Sequence, residues 1–217
     1  MRRDPATGIL LIIGALGMLL VAGLHPTGHS IASAEDLADA MRLNAIVHGA
    51  AIAAIAGLLA AAAGFTRSLD DGPWSTLGLA FFVVSGLAAM CAAITSGFVS
   101  PEIIARIRAG GDTSMLELLG WYSWRVNQGF ARVHIAGSAA AIVFWSVTLV
   151  RRQRAVRACG IFGMLTGLAV LAPLFGGHLH LDVHGFGAVM LAQSAWLIWV
   201  GVLLLRRGSP SLHATSA

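Results

Sequence analysis

Lysine is missing altogether from this 217-residue chain; all 14 basic side chains are arginine. Charge of either sign is scarce, at 11% of residues, where a soluble domain carries about a quarter. That scarcity excludes an ordinary water-soluble fold. Cysteine occurs twice, as Cys91 and Cys159, and their positions suggest neither a disulfide framework nor a zinc ribbon. The net charge of +4 comes without a basic tract, which argues against a nucleic-acid partner.

What fills the chain instead is apolar, 57% of all residues, arranged in blocks near the ~20 residues that a helix needs to cross a bilayer. Every backbone polar group inside hydrocarbon must be satisfied within its own segment, so such blocks are helices. The pattern predicts an all-α polytopic membrane protein with spans at 8–24, 44–65, 76–99, 130–150, 158–176 and 184–205. These make three hairpins in a single domain, 1–207, with a disordered cytoplasmic tail at 208–217. Six crossings put Arg2, Arg3, Arg67, Arg151, Arg152, Arg154, Arg157, Arg206 and Arg207 on one side. Positive charge in short loops marks the cytoplasmic face, so the reading is a bacterial-type inner membrane with both termini inside. A competing reading makes residues 1–34 a cleaved signal peptide ending at Ala32-Ser33-Ala34.

Two external links carry structure of their own in this reading. Residues 25–43 suggest a short helix over the outer helix ends. Within 100–129, Ile103, Ile104 and Ile107 share a face, and Trp121, Tyr122 and Trp124 suit the headgroup zone. Both links are therefore expected to hold short interfacial helices.

A weak repeat marks the outer ends of the hairpins: Val47-His48, Val133-His134 and Val183-His184. It predicts three histidines at one depth, about a turn below the outer boundary. Small residues at Gly49, Ala53, Gly57, Ala136, Gly137, Ala140, Gly185 and Gly187 are expected to let the helices approach.

Histidine is the strongest functional signal. Of eight, His25, His29, His48, His134, His178, His180 and His184 fall on the external side, and His213 alone falls in the tail. An imidazole has a donor and an acceptor to satisfy, and hydrocarbon offers neither. His48 and His134 should therefore face inward, towards another helix, water or a ligand. Imidazole is also the commonest nitrogen ligand for zinc, copper and iron. His180 and His184 are spaced to share a helix face, as are His25 and His29, although Pro26 and Gly28 turn that first pair. Asp182 is a candidate ligand, second partner or general base, and equally a helix N-cap. Arg132 would hold an anion or a haem propionate, or snorkel to phosphate headgroups. The run His178-Leu-His-Leu-Asp-Val-His184 resembles, with one residue inserted, the His-x-His-x-Asp-His metal run of metallo-β-lactamase-type hydrolases. That resemblance implies a soluble fold at odds with the apolar spans.

The expectation is thus a metal site (zinc, copper or iron) or a haem b site at the external face. It would serve a redox or hydrolytic metalloenzyme acting on a lipid-soluble or periplasmic substrate. The alternatives are a metal-ion permease, disfavoured by nearly bare mid-span sequences, and a scaffold subunit whose histidines only hydrogen-bond. Lipid is the one partner implied directly; oligomeric state is not legible.

Overall fold

The computed structural model describes residues 1–24, 34–69, 72–178 and 183–206, with the side chains of residues 34, 183 and 184 excepted. Its elements are α1 (Pro5–Leu24), α2 (Ala34–Ser68), α3 (Pro73–Ile94), a π-helical turn (Thr95–Val99), α4 (Ser100–Arg108), α5 (Thr113–Leu149), α6 (Arg154–Phe175) and α7 (Val183–Leu205). No strand occurs among the described residues, and six helical stretches are long and apolar enough to cross a membrane. This is a multi-pass membrane protein.

Three of the six stretches far exceed a bilayer. At ~1.5 Å per residue, the 35 residues of α2 and the 37 of α5 run some 50 Å or more. The hydrocarbon core needs only about 30 Å. The surplus lies at the end away from the arginine-rich turns. Residues 34–43 are the first turns of α2 and 113–129 those of α5, so these parts of the expected interfacial helices continue their spans. The reason is local: no proline interrupts Thr113–Leu149, and Asp112 caps its start by accepting the Met115 N–H. On α3 the helix passes through the π-turn into α4, which leans on the first turns of α5. Trp121, Tyr122 and Trp124 are exposed on this projection, and the Arg125 guanidinium sits 5.1 Å from the centroids of both Trp121 and Trp124.

The spans close into a ring. Each packs antiparallel on its neighbour in chain order, α1 on α2, α2 on α3, α3 on α5, α5 on α6, α6 on α7, and α7 returns to α1. Large apolar side chains cover the outside, among them Ile13, Leu20, Leu87, Leu165 and Leu191. Lipid tails are as apolar as leucine, so helix association here rests on close fit. Fit is tightest at small residues: a Cβ on Gly137 would lie 2.9 Å from the Phe81 carbonyl oxygen of α3, and one on Gly8 2.7 Å from that of Gly201 on α7. The sequence reading was right about Gly137. It was wrong about Gly49, Gly57 and Gly187, where a Cβ meets nothing within 4 Å.

The arginine-rich end is the better filled. Trp145 of α5 and Trp196 of α7 stack at 6.1 Å, and Phe65 of α2 meets both edge-on at 5.3 and 6.0 Å. Each indole N–H is spoken for: Trp145 donates to Thr66 Oγ1 and the Ser75 carbonyl, Trp196 to the Cys159 carbonyl. Asp4 caps α1 here, accepting the backbone N–H and the hydroxyl of Thr7. Those two bonds hold its carboxyl below the usual carboxylate range.

Candidate ligand site between the helices

The ring is not filled at every level. Midway along the spans, beside the aromatic cluster, lies a cavity of about 40 Å³. Five of the six spans border it, and all but a few of its neighbours are apolar. The exceptions are Ser85 on α3, His134 and Ser138 on α5, and Gln193 and Ser194 on α7.

His134 is held in one orientation. Its Nδ1 stands 2.8 Å from Ser85 Oγ and 3.3 Å from the Ser85 carbonyl oxygen. The Ser85 hydroxyl has one proton, and it donates that proton to the His134 carbonyl at 2.9 Å. Ser85 Oγ must then accept from Nδ1, and the Ser85 carbonyl can only accept. The proton is therefore on Nδ1, which leaves Nε2 as a lone pair. That Nε2 is buried without a hydrogen-bond partner. Gln193, 5% exposed, has a buried amide nitrogen in the same condition. A lone pair and an amide donor thus border one cavity, each without a partner. Native interiors rarely leave such groups unpaired, and where they do, a ligand, water or ion is the usual reason. Phe186 flanks the imidazole, with ring centroids 6.2 Å apart.

His48 does different work. Its Nδ1 donates to the Asn44 carbonyl at 2.8 Å, and its ring lies against Gly97, where any Cβ would collide with it. Asn44 in turn donates its amide to the Ser96 carbonyl at 2.8 Å. Ser96 and Gly97 belong to the π-turn, whose wider winding displaces carbonyls from their usual helical partners. His48 and Asn44 thus fasten α2 to that turn.

The two histidines are not at one depth. His48 touches Gly97 and His134 touches Ser85, positions twelve residues apart on the continuous helix from α3 into the π-turn, or roughly 18 Å along the axis. They cannot grip a common ion. The Val-His repeat fails because the helices begin at different heights: Val47-His48 and Val133-His134 lie deep within α2 and α5, and only Val183-His184 opens its helix. His178 is exposed and completes the stop signal of α6. Its N–H reaches back to the Pro173 carbonyl, that of Gly177 to the Leu174 carbonyl, and Gly177 takes φ +74°. This is the Schellman arrangement that glycine favours at helix ends. Arg132 is exposed and does not border the cavity.

Among the described residues no three His, Cys, Asp or Glu side chains converge. His25, His29, His180, Asp182, the His184 side chain and the tail at 208–217 lie outside the described residues. No protein-family model, curated protein or solved structure matches the chain.

Two residues that matter here went unnoticed in the sequence. Gln193 is the only amide within the last span, and a polar side chain at that depth is by default a site marker. Ser85 sits mid-way along α3 with no motif around it; nothing short of the α3–α5 contact ties it to His134.

Proposed function

We propose that this membrane protein binds a transition-metal ion midway along its helix ring, with His134 as the anchoring ligand. One observation carries the reading: Nδ1 of His134 is fixed by Ser85, while Nε2 is buried and unpartnered on a side chain that borders a cavity. Metal-bound histidines have that form, one ring nitrogen on the ion and the other donating to a carbonyl or similar acceptor. The cavity suits an ion, or about two water molecules. A porphyrin is many times larger, so the haem reading does not fit at His134. The aromatic cluster that fills the ring on the arginine side argues against a path for ions across the membrane. The second reading, favoured by the unpartnered Gln193 amide that borders the same cavity, is a structural water bridging the two.

Metal analysis separates the readings. Detergent-purified protein equilibrated with zinc or, under ascorbate, with copper should retain about one ion per chain. His48→Ala should retain as much. A preparation that takes up neither ion favours the bridging water and defeats the metal site. The arginine-bearing end is proposed to face the cytoplasm. A fluorescent protein fused to the C-terminus should then light up, and an alkaline phosphatase fusion there should stay inactive. The opposite pair of outcomes reverses the orientation.

A further inference from the structure

Resting on the reading of His134 as a metal ligand, we propose that the ion is monovalent copper, held by His134 Nε2 together with the thioethers of Met18 and Met190. Both methionines border the same cavity as His134, Met18 from α1 and Met190 from α7. They are 9% and 6% exposed, so neither faces lipid. Three side chains that carry donors thus border one space, from three separate helices.

The donor set selects among metals in two ways. Thioether sulfur is a soft ligand and favours copper(I) over the harder divalent ions, which prefer imidazole with carboxylate or water. Charge points the same way. Within the described residues the acidic side chains stand at helix ends or on the external projection, none bordering the cavity. An ion bound there keeps its full charge in a low-dielectric interior. The solvation penalty rises with the square of that charge, so a divalent ion pays about four times what a monovalent one does.

Methionine in a core is ordinarily a gap filler, since its unbranched arm adapts to irregular space. Here two such arms border a gap that stays open. Gap filling therefore does not account for them, whereas thioethers that swing onto a small ion do. Gln193 adds a neutral amide whose oxygen can turn towards a cation. No electron transfer is invoked; the step is coordination of a copper(I) ion that arrives reduced.

The test is competition for copper(I) with a chromogenic chelator, under ascorbate, on detergent-purified full-length protein. Wild type should bind one copper(I) per chain and prefer it to zinc. Met18→Leu and Met190→Leu should each weaken copper(I) by at least about tenfold, while zinc at His134 is unchanged. Leucine conserves volume well enough for the fold to survive. Selenomethionine-labelled wild type supplies a check that needs no variant: the selenium absorption spectrum should gain a copper neighbour when copper(I) is added. Equal copper(I) affinity in the double leucine variant, or no selenium–copper scattering, overturns the thioether assignment while leaving a metal at His134 intact. Uptake of neither copper nor zinc by wild type overturns both.

Discussion

His134→Ala should empty the site, lowering metal affinity by about a hundredfold or more. The size follows from what the ring nitrogen is. It is the one nitrogen lone pair bordering the cavity that is buried without a partner, and the other neighbours are serine hydroxyls, an amide and apolar groups. Two companions locate the effect. Ser85→Ala removes the acceptor at 2.8 Å from Nδ1 but leaves the Ser85 carbonyl at 3.3 Å. It should loosen the ring and weaken binding by roughly 10- to 100-fold. His48→Ala, some 18 Å away along the helix from α3 into the π-turn, should leave affinity alone. Metal retained by His134→Ala within threefold of wild type would mean that the ion, if bound, sits elsewhere.

Trp145→Ala should be the most damaging change to the fold, at about 3–5 kcal/mol. Trp145 is 1% exposed and touches Phe65, Phe82 and Trp196, so its loss leaves a void among side chains from four helices. In a bilayer this is lost contact rather than transfer from water, since the alternative neighbour is lipid. The polar part is separable. Trp145→Phe keeps a ring but loses the single N–H shared between Thr66 Oγ1 and the Ser75 carbonyl, both 3.2 Å away, which should cost about 1 kcal/mol in all. Thermal unfolding of purified protein in one detergent reads both. An alanine variant melting with wild type would show that the aromatic cluster does not hold the ring. Because the cluster lies on the arginine side of the cavity, metal bound to surviving folded protein should be near normal in Trp145→Phe.

The number and identity of the spans were legible because hydropathy acts residue by residue: a run such as Gly8 to Leu24 has no soluble alternative. Helix ends were legible where local chemistry sets them, as at Gly176-Gly177. Depth was not. The matching Val-His pairs suggested that His48 and His134 were equivalent, yet how far α2 and α5 rise above the membrane depends on where each helix starts. Periodicity within a span does not report that. The glycines show the same limit. Gly57 and Gly137 read alike in an alanine-rich run, but only Gly137 faces a neighbouring backbone.

By itself, then, the chain determined its solvent and its crossings, since both follow from local apolarity and the bilayer's thickness. Ring closure, which brings Met18, His134, Met190 and Gln193 around one cavity from α1, α5 and α7, was decided by tertiary structure alone. Which faces turn inward depends on the fit of all six helices together, and no single helix encodes its neighbours.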